Sequence, residues 1–71
     1  MNPLPYREVE RKLKAAGFEI VSQKGSHIKF AKTTDGGTLT AVVPHHNEVA
    51  IGTLRSILRQ AGLTLDEFRD L

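Results

Sequence analysis

The 71-residue sequence predicts an α+β sandwich: a three-stranded antiparallel sheet, two helices on one of its faces, and a short C-terminal helical turn. Three observations predict it. Apolar residues recur at helical spacing near both ends. The period falls to two between Gly17 and Pro44. Two glycine-containing turns divide that middle stretch into three runs. With no repeat, low-complexity tract or linker, residues 1–71 read as one domain.

The first helix is expected from Pro5 to Ala16. Tyr6, Val9, Leu13 and Ala16 are spaced by three and four residues and so share a face. Pro5 suits a first turn, and Gly17 is placed to close the helix in a left-handed cap. Arg7, Arg11 and Lys14 form a basic stripe opposite. Glu8–Lys12 and Glu10–Lys14 are the ion pairs expected there.

After Gly17, "FEIVSQ" sets Phe18 and Ile20 against Glu19 and Val21. A turn at Lys24-Gly25-Ser26 leads into "HIKFAK", where Ile28 and Phe30 share one face and His27 and Lys29 the other. "TTDGG" reads as a hairpin, Asp-Gly being a favoured pair for positive backbone angles. In "TLTAVV", Leu39, Ala41 and Val43 are expected inward and Thr38, Thr40 and Val42 outward, before Pro44 ends the strand.

"HHNEVAI" reads as a loop. Gly52-Thr53 opens a second helix with Leu54, Ile57, Leu58 and Ala61 on its apolar face and Gly62 as its cap. Arg55 and Arg59 lie one turn apart on its surface. Thr64 and Glu67 have the spacing of a capping box, with Leu65, Phe68 and Leu71 folding back onto the body.

The bulk numbers narrow the function. So short a chain has a thin core, and without cysteine it has no disulfide to support it, so a surface-covering partner is expected. The N-terminal "MNPLPYREVE" lacks the apolar run of a signal peptide, and no stretch approaches a membrane span. A cytoplasmic location is the expectation. The net charge of +2 divides into +4 over residues 1–63 and −2 over the last eight, a balance compatible with a polyanionic partner.

His27 is the residue of most chemical interest. Strand parity puts it opposite Ile28 and Phe30, off the core face. Only His45 and His46 join it as imidazoles, without cysteine or a helical His pair, so no metal or other cofactor is expected. Ser26 is adjacent, but neighbours on a strand point apart, which does not suit a hydrolytic triad. A third chemistry asks less of the protein. In metal-free RNA cleavage the substrate's own 2′-hydroxyl attacks. The protein then moves two protons and stabilises charge on the phosphate. Histidine titrates near neutrality and suits either transfer. Lys24, Ser26 and Lys29 lie within three residues of His27 and supply phosphate contacts by charge and proximity. A non-catalytic RNA-binding module using the Arg7, Arg11 and Lys14 stripe, and a protein-docking domain, remain alternatives.

Several of these segments resemble the HicA family of bacterial and archaeal toxins, small mRNA interferases. Gly25-Ser26-His27 with Phe30 looks like the family signature. "VPHH", Val43 to His46, resembles its V-P-x-H element, with His46 at the matching position. "GTLRSILRQAGL", followed by Glu67-Phe68, is similar to the C-terminal helix, and "REVERKLKAAGF" to the first helix and its Gly-Phe ending. The resemblance spans nearly the whole chain in order. It implies a double-stranded-RNA-binding-domain-like α-β-β-β-α fold and an endoribonuclease that cleaves mRNA independently of the ribosome. It also implies a HicB-like antitoxin that binds and masks the toxin. Catalytic importance falls on His27. His46 is either an auxiliary proton-transfer group or a loop anchor near the second helix, and His45 is expected to be a surface residue. Masking of His27 is the simplest expectation for the antitoxin.

Overall fold

The computed structural model describes residues 1–71. The elements follow the order α1 (Tyr6–Ala15), β1 (Glu19–Lys24), β2 (His27–Thr34), β3 (Gly37–Pro44), α2 (Ile51–Ala61) and α3 (Leu65–Arg69). The strands form one antiparallel sheet in the order β1-β2-β3. The helices pack on a single sheet face, giving the expected α+β sandwich.

The core lies between that face and the helices. Val9 and Leu13 from α1, Ile28 and Phe30 from β2, Ala41 and Val43 from β3, and Leu54, Ile57 and Ala61 from α2 are all buried. Tyr6 and Phe18 close it at the two ends of α1, and Val49 adds a side chain from the loop before α2. No charged or polar side chain is buried, so the interior is apolar throughout. At β2 the exposed-buried alternation of His27, Ile28, Lys29 and Phe30 follows strand parity as expected.

The helix ends follow the expected punctuation. Pro5 is the N-cap of α1, so the helix begins at Tyr6, one residue after the expected start. Ala16 closes the helix, and Phe18 N–H bonds back to Leu13 O at 3.0 Å across Gly17. Leu63 N–H bonds to Leu58 O at 3.0 Å across Gly62 in the same way. At α3 the Thr64 and Glu67 capping box is complete. Glu67 N–H donates to Thr64 Oγ1 at 3.1 Å, and Thr64 N–H donates to Glu67 Oε1 at 2.8 Å.

Four local expectations need correction. In the β2–β3 hairpin neither Asp35 nor Gly36 has a positive φ. That conformation falls on Gly37, at 127°. Thr34 pairs with Gly37, and the Thr34 hydroxyl donates to Gly37 O, so the left-handed residue follows the two-residue turn. Ile20 is 42% exposed: β1 is an edge strand, and its register shifts between Ile20 and Ser22. Leu39 points to the helix side but lies at its margin near Gly62, 36% exposed. Of the C-terminal apolar residues, Phe68 is buried, Leu71 is half-buried and Leu65 is exposed.

The ion pairs of α1 also differ in part. Glu10 pairs with Lys14 as expected, at 3.0 Å, but Glu8 pairs with Arg11. Lys12 instead reaches the C-terminus, donating to Phe68 O at 3.1 Å, Arg69 O at 3.3 Å and Leu71 O at 3.1 Å. Its ammonium also lies 5.2 Å from the centre of the Phe68 ring. A cation at the last carbonyls of a helix satisfies acceptors that have no partner within it. Lys12→Met keeps the aliphatic stem and removes these bonds. It is expected to cost about 1.5–3 kcal/mol, the range for hydrogen bonds to a charged group. Hydrogen exchange should then quicken at Phe68, Asp70 and Leu71 before the rest of the fold loosens. Uniform exchange with an unchanged Tm would show that α3 docks through Phe68 alone.

Candidate nucleic-acid interface

The β1–β2 turn builds the centre of the site. Lys24 pairs with His27, leaving Gly25 and Ser26 as a two-residue loop. Gly25 has φ 59°, and Ser26 does not share that conformation, the pattern of a type II′ hairpin turn. An added Cβ at Gly25 would meet no atom within 4 Å, so its backbone angle, rather than lack of space, calls for glycine.

Register then decides which side chains share the open face. Directly paired residues lie on one side of a sheet, their Cβ atoms about 5 Å apart. Lys24 and Pro44 flank His27 on β1 and β3, and Ser22 and Val42 flank Lys29. Residues two apart on a strand are about 7 Å apart on the same face. Lys24, His27 and Lys29 therefore cluster at one end of the open face, all exposed. Neither lysine forms an ion pair, and no hydrogen bond within the chain engages the His27 ring or the Ser26 hydroxyl. Two free ammonium groups, an imidazole and a hydroxyl beside a tight turn can together face one phosphate.

The α1 stripe does not join this cluster on the same face. It lies on the helix side of the sheet, and its members differ. Arg11 donates to the Glu8 carboxylate and to Leu71 O, and Lys14 is held by Glu10. Glu8 is kept below the usual carboxylate range chiefly by its hydrogen bond from Arg11. Only Arg7 has no hydrogen bond or ion pair. It stands in the first turn of α1, at the same end of the molecule as His27. Lys14 is about 10 Å further along the helix.

The β3–α2 loop links that helix end to the β1–β2 turn. His45 N–H donates to Ser26 O at 2.6 Å, extending the β2–β3 ladder one step past Pro44. The His45 ring stacks on Tyr6, with centroids 4.0 Å apart and planes 27° from parallel. Burial, and then the Glu10 carboxylate, push the Tyr6 phenol above its ordinary range. Glu10 itself is lowered, first by Lys14 and next by the Tyr6 hydroxyl, with a smaller contribution from the nearby His45. Leu4 and Val49 exchange backbone hydrogen bonds at 3.2 and 2.6 Å and secure the far end of the loop.

These contacts reassign the anchoring role. His46, one of whose two expected roles was loop anchor, is exposed and makes no side-chain hydrogen bond. His45 is exposed as expected, yet it holds both the turn and Tyr6. The physical reason is register: the ladder continues through the residue after Pro44, and the chain bends only at Asn47 and Glu48. Tyr6 spacing gave a core position, but nothing in the sequence signalled a ring 39 positions away. No group of three or more His, Cys, Asp or Glu side chains is arranged to hold a metal ion.

A family model described as "HicA toxin of bacterial toxin-antitoxin" matches residues 6–63, a span running from the start of α1 to just past the end of α2. A search of curated proteins gives no match.

Proposed function

The chain belongs to the HicA toxin family of toxin–antitoxin systems, and from that membership we propose that it is an endoribonuclease that cleaves mRNA and is neutralised by a HicB-like antitoxin. The supporting observation is the grouping of His27 with Lys24 and Lys29 on the open sheet face, beside the Gly25-Ser26 turn. In this reading the RNA 2′-oxygen loses its proton and attacks the adjacent phosphorus. The bond to the 5′-oxygen breaks, and that oxygen leaves with a proton. The products are a 2′,3′-cyclic phosphate and a 5′-hydroxyl end, so no water or redox partner is consumed. His27 serves one of the two proton transfers. Lys24 and Lys29 face the non-bridging phosphate oxygens, and the Ser26 hydroxyl supplies a further contact.

The antitoxin is proposed to cover the open face, which places it over His27. No helix is long and apolar enough to cross a membrane, and we place the activity in the cytoplasm with its mRNA substrate.

The test uses purified protein in chelator with an RNA oligonucleotide and its 2′-O-methyl counterpart. The RNA is expected to be cut to cyclic-phosphate ends while the 2′-O-methyl strand stays intact. RNA bound but never cut would make the chain a binding module, and cleavage lost to the chelator would replace the metal-free mechanism.

Unequal pairing along α1 gives a second expectation. Arg7→Ala should weaken RNA binding and reduce the slope of log K against log salt by about 0.7, one phosphate contact on a single strand. Arg11→Ala should change the slope less, because its guanidinium is already engaged by Glu8 and Leu71 O. A salt titration giving equal losses for both would mean that the whole stripe lies on the RNA.

A further inference from the structure

At the end of the sheet, beside the Lys24–His27 cluster, a cleft of about 270 Å³ opens between α1 and the β3–α2 loop. Pro5, Tyr6, Arg7, His45, His46 and Asn47 line it. Its volume lies just below the range of small-molecule sites and suits one ring rather than an extended ligand. Three features give it a chemical character. The His45 ring rests with one face on Tyr6, yet the residue remains exposed, leaving its other face for a ligand. Arg7 is the one cation of the α1 stripe with no partner. The lining includes no Leu, Ile, Val or Met to anchor a protein side chain.

The position is as informative as the lining. His45 N–H is bonded to Ser26 O, and Pro44 is the direct partner of His27. The cleft therefore begins one residue past the direct partner of His27 on β3, round the end of the sheet on its helix side. A strand of RNA whose phosphate meets His27 would pass it on leaving the open face.

We propose that this cleft is a nucleobase subsite for the nucleotide beside the scissile phosphate, with the base stacked on the free face of His45 and its phosphate met by Arg7. The proposal rests on the endoribonuclease reading and names where that enzyme holds its substrate. Tyr6 backs the imidazole and keeps its plane fixed, so stacking does not have to order a mobile ring. Stacking on a single aromatic plane accepts any base, since every base has a π-face. Preference among bases would come from His46 and Asn47, the other polar residues of the lining.

Two measurements test it. Binding is measured with a 2′-O-methyl oligonucleotide, which resists cleavage, carrying one abasic position moved stepwise along the strand. On the wild-type protein one position is expected to lose about tenfold in affinity, the order that a base–aromatic stack contributes. His45→Ala should lose a similar factor on the intact strand and nothing more on the strand abasic at that position. His45→Phe should recover most of it. On cleavable RNA the loss should fall on KM, with kcat nearly unchanged. Because the abasic series uses wild-type protein, a variant that folds poorly does not obscure the result. An affinity independent of abasic position would overturn the subsite, as would failure of His45→Phe to recover binding. A His45→Ala protein that binds RNA normally but loses its antitoxin would assign the cleft to the protein partner instead. If wild type shows the abasic dependence but never cuts RNA, the subsite stands and the nuclease reading fails.

Discussion

His27→Ala is expected to lower the rate of RNA cleavage by about 10²- to 10⁴-fold, the usual worth of a positioned acid or base. Its stability should stay within about 0.5 kcal/mol of wild type. The imidazole is exposed at the first residue of β2, makes no hydrogen bond within the chain and packs into no core. Its neighbour Ile28 provides the buried contact at that position, and the backbone pairing with Lys24 and Pro44 does not involve the ring. Loss of activity without loss of fold is thus the signature of a chemical role. Initial rates at saturating RNA, read beside urea unfolding of the same preparation, separate the two. On induced expression, wild type should arrest growth and His27→Ala should not. Substantial cleavage by a folded His27→Ala protein would transfer the proton chemistry to Lys24, Lys29 or His46. Its RNA affinity should fall only slightly, since the two lysines remain.

Most of the fold was legible because it rests on local rules. The spacing of Val9 and Leu13, the alternation around Phe30 and the Thr64–Glu67 box each involve residues within one turn or one strand. His27's exposure follows from parity alone, so the placement of the candidate site's central residue was legible as well. The misjudged features depend on partners far away in sequence. Lys12 leaves Glu8 because three C-terminal carbonyls, 56 to 59 residues away, offer it more acceptors. His45 meets Tyr6 only because the β3 register carries the chain back over α1. Ile20 is left exposed where the β1 register shifts, a pairing feature that its alternation with Glu19 and Val21 does not reveal. The positive φ moved from Asp35-Gly36 to Gly37 because strand pairing, rather than the Asp-Gly dipeptide, selects the turn. The basic stripe was visible as a spacing, but which of its cations is free depends on side-chain choices that spacing leaves undecided.

Phe30→Ala should be the most damaging substitution in the core, at about 3–5 kcal/mol. Phe30 is fully buried on the central strand, paired with Ile20 on one side and Ala41 on the other. Ala41 is small, so its packing space depends on the ring opposite, and truncation leaves a cavity that the short strands cannot close. A 71-residue domain has roughly 4–10 kcal/mol of stability in total by the usual per-residue range. The loss therefore removes a large fraction of the whole, with no disulfide to limit it. Urea unfolding should show a large fall in midpoint, or no folded baseline at 37 °C. Phe30→Leu keeps most of the volume and should cost no more than about 1.5 kcal/mol. Loss of cleavage in Phe30→Ala should track the unfolded fraction and recover on cooling, whereas loss in His27→Ala should persist at every temperature. A partner that binds only the folded chain restores stability by mass action. Phe30→Ala bound to its antitoxin should therefore regain a cooperative unfolding transition. A midpoint close to wild type for free Phe30→Ala would mean that the helices repack onto the sheet without the ring, and that Phe18 and Leu13 carry the core at this point.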